Sequence, residues 1–285
     1  MRKINPLYLL VLSICFCFSC GKQSEKTIES STDIGIMTYN IRLDLTSDGI
    51  NQWDNRKEAV LSIIDNYKPT IFGIQEALPQ QVAYLQENLT HYGSIGKGRD
   101  GGSNGEACTI LYRKDIVKLL STETFWLSET PLKPSIGWDA AYPRICTVGV
   151  FQHKKSKKKY HVYNTHLDHV GMIAQQESVQ QILAHIERQN YPNIPVIVMG
   201  DFNAKTASPT INAITKHLSD SNQNFKHKTK PTGTFNGFDI HSSLEKRIDY
   251  IFTSNLQVNN YQHLDDKTVN HNWPSDHLPV FIKIK

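Results

Sequence analysis

Six short apolar runs in this chain each end in, or open from, a small cluster of polar residues. That pairing constrains the fold more than any other feature. In order, the clusters are Thr38-Tyr39-Asn40, Gln75-Glu76, Asn164-Thr165-His166-Leu167-Asp168, Gly200-Asp201-Phe202-Asn203, Arg247-Ile248-Asp249-Tyr250 and Ser275-Asp276-His277-Leu278-Pro279. A short apolar run bounded by turn residues reads as a buried strand, so the polar groups stand at strand ends. They supply carboxylates, carboxamides and histidines but no strong candidate nucleophile. Such an inventory suits a hard, oxygen-loving cation combined with proton transfer, and hence an attack by water.

Helical periodicity separates these strands. Residues 54–67 place Val60, Ile63, Ile64 and Tyr67 on one face, with Asp54 as the expected N-cap, and Lys68-Pro69 ends the helix. Further helices are expected over 79–89, opened by Pro79, over 172–186, and over 208–217. Strands are expected over 34–41, 70–74, 107–112, 118–125, 144–151, 160–166, 195–199, 248–252 and 278–284. Strands alternating with helices indicate layered α/β packing. About 250 residues follow the leader described next, without a dividing linker or an internal repeat, which suits one large domain.

The first twenty residues lie outside that fold. Arg2 and Lys3 precede an apolar stretch from Leu7 to Phe18, too short to span a membrane comfortably. The stretch ends in Phe18-Ser19-Cys20-Gly21, which resembles a bacterial lipoprotein cleavage site with Cys20 as the lipidated residue. Cys17 departs from that pattern, which has Leu three residues before the lipidated Cys. Residues 21–33 are mostly Ser, Thr, Lys and Glu and read as a flexible tether. The chain is therefore expected to be exported and held through lipid at the periplasm or outer membrane. Of the five cysteines, Cys108 and Cys146 belong to the domain, and both sit in apolar runs as expected of buried free thiols.

Without Arg2 and Lys3, 29 basic residues face 27 acidic ones. Such a balance does not demand a long polyanionic partner, although a local basic groove is compatible with it. Five lysines crowd residues 153–159, read as a charged, solvated hairpin tip, with binding of phosphate or membrane as the competing reading.

In their order and placement the six clusters resemble the endonuclease/exonuclease/phosphatase superfamily, the DNase I-like fold, over residues 34–285. The resemblance implies a four-layer α/β sandwich, two packed mixed β-sheets flanked by helices, with the site at one end. Glu76 and Asn40 emerge side by side from strands and are the first candidate metal ligands, for Mg²⁺ with Mn²⁺ as a substitute. The resemblance makes Asp276 a second metal-side carboxylate. It assigns Asp201 to orienting or deprotonating the attacking water, and Asn203 to holding phosphate. It pairs Asp249 with His277, whose imidazolium would face the phosphate. His166 is a second acid or phosphate donor, and Glu106, just before a strand, matches the Glu that orients it. Arg144 matches a phosphate-contacting Arg, with a structural salt bridge as the competing reading. Asn164 and Asp168 flank His166 and either touch phosphate or metal or stand behind the site.

Three departures narrow the subfamily. Arg42 stands where apurinic-type repair enzymes have Asp. Residues 245–249 lack the Trp-Cys-Asp-Arg segment of inositol polyphosphate 5-phosphatases, and the exposed aromatic hairpin of neutral sphingomyelinases is not evident. Residues 125–131 and 137–139 look nearest to nocturnin and deadenylase-type exonucleases, in a bacterial branch. The expected function is Mg²⁺-dependent hydrolysis of phosphoesters by a monomer, with nucleic acid as the leading substrate. A phosphorylated lipid, sugar or nucleotide is the alternative, and an inactive binding protein of the same fold the third reading.

Overall fold

A computed structural model describes residues 1, 33–189, 193–225 and 230–285. The leader after Met1, Cys20 and the tether up to residue 32 lie outside the described residues. No described helix is long and apolar enough to cross a membrane.

In chain order the elements are β1 (Ile34–Asn40), α1 (Trp53–Tyr67), β2 (Ile71–Gln75), α2 (Pro79–Asn88), β3 (Tyr92–Ile95), β4 (Ile110–Arg113), β5 (Val117–Trp126), β6 (Ile145–His153), β7 (Lys159–His166) and α3 (Met172–Arg188). They continue with β8 (Val196–Asp201), α4 (Pro209–Thr215), β9 (Ser219–Asp220), β10 (Asp249–Ser254), β11 (Val258–His263) and β12 (Val280–Ile284). A 3₁₀ turn, Thr46–Asn51, precedes α1. Two mixed six-stranded sheets form, in the orders β11-β12-β1-β2-β4-β3 and β5-β6-β7-β8-β10-β9.

Strand alternation explains the layers. Along β1, Ile34 and Ile36 point between the sheets, into a core shared with Ile71, Val162, Ile197, Met199, Ile251 and Ile282. Met37 and Tyr39 point outward, onto Val60, Ile64 and Leu85 of α1 and α2. On the second sheet Tyr163, Val198, Phe202 and Phe252 cover the other outer face, against Val179, Ile182 and Ile211 of α3 and α4. Two apolar faces per sheet require helices on both outsides, which gives the four layers.

Pairing gathers the polar clusters at one edge. β1 and β2 run parallel, as do β7 and β8, so Asn40, Gln75, His166 and Asp201 all end at the same side. The antiparallel partners begin there: β10 pairs Asp249 with Asp201, β6 pairs Cys146 with Thr165, and β12 pairs Val280 with Thr38.

Several expectations shift. Gln52, not Asp54, is the N-cap of α1, and Asp54 in the first turn pairs with Lys57. The strand expected at residue 107 starts at Ile110, because Ala107 makes only isolated bridges to Ala77 and Gly98. Strands β3, β9 and β11 are additions; they are short or polar and carry little apolar alternation. Cys108 and Cys146 are buried and free, as expected, and burial pushes the Cys108 thiol up to about 12.

Candidate active site

The layer between the sheets grades from apolar to polar toward the mouth. Asn40 continues the row of Ile36 and Thr38, His166 that of Val162 and Asn164, and Asp201 that of Ile197 and Met199, because residues two apart share a strand face. The middle tier is a hydrogen-bonded layer, in which the buried Gln75 Oε1 has no partner. The Asn164 amide nitrogen donates to the carbonyls of Ile74 and Thr109, while its oxygen accepts from Gln75 Nε2, which also donates to the Thr38 hydroxyl. Asn164 thus ties one sheet to the other, and Gly73 leaves the space it fills; a Cβ there would overlap the Asn164 amide.

This corrects the reading of Asn164 as a phosphate ligand. It is fully buried, and its carboxamide groups are engaged one tier below the mouth. The Gln75 of the second cluster belongs to the same tier, so only Glu76 of that pair reaches the site.

Three site residues hold left-handed backbone at strand ends: Arg42 (φ 56°), Glu76 (φ 62°) and Asn203 (φ 48°). Such conformations are sparsely populated by residues with side chains and persist where the surroundings enforce them. Here they turn side chains across the mouth. The amide nitrogen of Asn40 donates to Glu76 Oε1 (2.9 Å) and to Asp201 Oδ2 (3.0 Å), joining carboxylates from both sheets. Its oxygen accepts from the Arg42 N–H (3.0 Å). Asp201 Oδ1 accepts from the Asn203 N–H (2.8 Å), an Asx turn, while the Asn203 side chain reaches His166 Nε2 (3.0 Å) and the Leu167 carbonyl (3.1 Å). Asn203 therefore makes a turn through its backbone and, through its amide, stands at the mouth beside His166.

Two histidines flank Asp201 Oδ2, His166 at 3.6 Å and His277 at 3.7 Å. His277 Nδ1 lies 2.9 Å from Asp249 Oδ2, the pairing expected from the resemblance. Burial alone would drive the His277 pKa down, but Asp249 and Asp201 overturn that and hold it well above the ordinary imidazole value. His166 goes the other way: burial, then the cations of Arg144 and His277, push it well below. Burial and Asp249 raise Asp201 to about 7, against the pull of His277. Asp276, beside this group, is also raised, first by burial. These shifts favour a protonated His277 and a neutral His166, with a carboxylate of raised pKa between them that can act as a base.

The expected orienting pair of Glu106 and His166 does not form. Glu106 pairs with Arg99 (2.7 Å), which reaches it across a glycine-rich loop, residues 96–105, and the partners of His166 are Asn203 and Asp201. For Arg144 the structure shows the salt bridge, the competing reading. Its Nε binds Asp168 (3.2 Å) and a terminal nitrogen binds His169 Nδ1 (3.1 Å), yet it lines the cleft. Asp168 stands behind the site: against the effect of burial, the N–H groups of Gly171 and Val170 and the Arg144 cation bring its pKa to about 2.

The mouth is a cleft of about 660 Å³ that also includes Arg99, Tyr142, His169, Phe235 and Lys246. Sequence reasoning missed these five. Arg99 alone left a signal, an arginine in a glycine-rich loop closing on Glu106.

The donor set fits a divalent cation. Among the described residues, ligand atoms of Glu76, His166 and Asp201 lie within 4.8 Å of one another, as do those of Asp201, Asp249 and His277. The second group already holds the imidazolium, which leaves the first, with Asn40 and Asp276 beside it, as the place for a cation. Two carboxylates held together by an amide N–H are the kind of oxygen-rich set that hard cations take. When bound, such a cation would neutralise charge on a phosphoryl oxygen.

The described fold is that of solved DNase I-like proteins. The chain is 35% identical to a mannosyl-6-phosphatase of Bacteroides thetaiotaomicron, with a TM-score of 0.82 over 88% of this chain and 99% of that one. The human nocturnin catalytic domain shares the fold at 20% identity, TM-score 0.72, over 89% of this chain and 93% of that one. Protein L388 of Acanthamoeba polyphaga mimivirus is 27% identical over 82% of this chain and 92% of its own length. The family model for the Endonuclease/Exonuclease/phosphatase family matches residues 37–277. With these polar clusters brought to one edge of the sandwich and that model matching residues 37–277, the chain belongs to the endonuclease/exonuclease/phosphatase family and is a hydrolase of phosphoester bonds.

Proposed function

We propose that this chain is a Mg²⁺-dependent phosphatase acting on a small phosphorylated sugar. One observation carries the reading: each arginine lining the cleft is already paired with a carboxylate. Arg42 binds Asp48 (3.0 Å), Arg99 binds Glu106 (2.7 Å) and Arg144 binds Asp168 (3.2 Å). His277 is likewise paired, with Asp249 (2.9 Å), so among the described residues Lys246, set over the Phe235 ring, is the lining cation without a carboxylate partner. A polynucleotide track needs cations for many phosphates; this cleft balances one phosphate and a metal. The similarity to a protein named for mannosyl-6-phosphatase activity supports the sugar class. The sequence alone favoured nucleic acid, and the paired arginines weigh against that choice.

In this reading Asp201, held in place by the N–H groups of Asn40 and Asn203 on its two oxygens, accepts a proton from the attacking water as the water oxygen bonds to phosphorus; the bond from phosphorus to the sugar oxygen breaks, and that oxygen takes up a proton from solvent. His277, charged and fixed by Asp249, faces the phosphoryl oxygens, where negative charge builds in the transition state. Asn203 and Arg144 orient the phosphate. Glu76 and Asp201, with Asn40 and Asp276, would hold the Mg²⁺.

The test is a substrate panel with Mg²⁺: mannose 6-phosphate and other hexose phosphates, nucleotides, phosphoinositides, sphingomyelin and a single-stranded oligonucleotide. A hexose phosphate should exceed the rest in kcat/KM by at least an order of magnitude, on the scale of ordinary pocket discrimination. Preferred cleavage of the oligonucleotide would restore the nuclease reading. The same proposal holds the domain outside the cell through lipid on Cys20. Labelled fatty acid should enter the native protein but not a Cys20→Ala variant, and equal labelling of both would remove the anchor.

A further inference from the structure

The lysine-rich hairpin lies at the opposite end of the sandwich from the catalytic mouth. β7 runs from Lys159 at the hairpin to His166 at the mouth, roughly 23 Å at the rise of a strand. The first strand enters the domain at the hairpin end, since Ile34 pairs with Ile284 and Lys158 Nζ donates to the Lys285 carbonyl (2.9 Å). The tether therefore joins the domain beside the hairpin.

The charge there is one-sided. Residues 113–118 and 152–160 carry Lys114, Lys118, Lys154, Lys155, Lys157, Lys158 and Lys159 against a single carboxylate, Asp115. Arg113 already occupies that carboxylate (2.6 Å). The two segments touch, because Val117 pairs with His153 and the Lys154 N–H donates to the Ile116 carbonyl. Lys114, Lys118, Lys154, Lys155, Lys157 and Lys159 are exposed, and among the described residues none of them has an ion-pair partner. The domain carries nearly equal basic and acidic totals, so this excess is concentrated here. The hairpin is also built to last. His153 Nδ1 accepts from the Ser156 N–H (3.1 Å), and the Lys157 N–H donates to the His153 carbonyl (2.9 Å), so the backbone that carries the lysines is held in one turn.

We propose that this end is a docking face for an anionic lipid surface. Four features point to lipid: a compact array of unpaired lysines, a turn that holds its backbone, its place where the tether enters, and an active site facing the other way. Clustered lysines next to an anchor are drawn to phospholipid headgroups, each adding a similar increment of affinity that salt screens. Docked this way, the mouth opens away from the bilayer, toward substrates in the aqueous phase. That orientation deepens the proposed function, on which it rests for substrate class: a soluble phosphorylated sugar reaches the mouth, while a lipid headgroup in the same bilayer does not.

The experiment compares the full chain with a full-length variant carrying Lys154→Glu, Lys155→Glu and Lys157→Glu. Co-sedimentation is measured with vesicles of phosphatidylcholine alone and of phosphatidylcholine mixed with phosphatidylglycerol, at low and high salt. Any contribution of the leader is common to both proteins and cancels. The wild-type chain should prefer the phosphatidylglycerol vesicles, and the variant should lose that preference by roughly a hundredfold, as should the wild type in high salt. Turnover of a soluble substrate should be equal in the two proteins, so failed docking and failed catalysis are read separately. Equal binding of both proteins to the anionic vesicles overturns the proposal. So does a hairpin-dependent affinity for an oligonucleotide that exceeds the affinity for the vesicles.

Discussion

His166 and His277 are the same ring at nearly the same depth, 7% and 4% exposed, and nearly equidistant from one carboxylate oxygen of Asp201. One grows from the end of β7 in the second sheet, the other from the loop before β12 in the first. Their pKa shifts nevertheless run in opposite directions, and the cause is what stands on the far side of each ring. Behind His277 is the Asp249 carboxylate at 2.9 Å; beside His166 are a neutral amide and the cation of Arg144. Burial lowers both, so burial cannot set them apart. A charged partner decides which histidine carries a proton, and the fold supplies that partner to one side only.

Removing the metal tests the His166 side. EDTA should bring hydrolysis to background, and Mg²⁺ or Mn²⁺ should restore it, because Glu76 and Asp201 are the carboxylates a cation would join. Full turnover of metal-free protein in EDTA would show that this cluster holds no catalytic ion.

Next in size is the His277 side. His277→Ala should lower kcat by ~10²–10⁴ with little change in KM, the range of groups that act on charge in the transition state. Asp249→Asn should behave similarly, and the double variant should be scarcely worse than either single one, since the two residues work as a unit. Melting temperature measured on the same preparations separates chemistry from folding. A destabilised but fully active His277→Ala protein would make the ring a packing residue.

The pH profile sharpens the contrast. Turnover needs Asp201 unprotonated and His277 protonated. It should rise as Asp201 loses its proton, at a lower pH with Mg²⁺ bound than in the metal-free site, and fall only when His277 loses its proton, well above the ordinary imidazole range. In Asp249→Asn the alkaline limb should slide down toward an ordinary histidine and narrow the profile. An alkaline limb that does not move would detach His277 from Asp249.

The smallest effect belongs to the tier beneath. Asn164→Ala removes a carboxamide that joins the sheets and takes one of the two acceptors of the Gln75 amide nitrogen, at a cost of ~1–3 kcal/mol in stability, while the folded fraction keeps most of its kcat. Lost turnover with an unchanged melting temperature would return Asn164 to the phosphate.

That tier also marks how far the sequence could be read. The residues that end the inward-facing rows, Asn40, Asp201, Asp249 and their neighbour His277, were legible because a polar side chain closing an apolar strand has few reasons to be there except a mouth. Asn164 has the same signature one step earlier on β7, and only the opposite sheet distinguishes it, since its partners Ile74 and Thr109 lie far away in sequence. Glu106 was misread for a related reason: whether its carboxylate meets His166 or Arg99 depends on how a glycine-rich loop folds back. The layered fold was plain in the alternation of strand and helix. Strand β11 was not, because it is largely polar on both faces and is ordered by pairing with β12.

The opposed charge of the two histidines can be observed without turnover. In ¹⁵N-labelled full-length protein, two-bond proton–nitrogen correlations report the protonation of each imidazole nitrogen through a pH titration. Near neutral pH, His277 should show both nitrogens protonated and His166 a single neutral tautomer, and Asp249→Asn should shift His277 alone toward the neutral pattern. Two rings titrating together near the ordinary imidazole value would contradict the account.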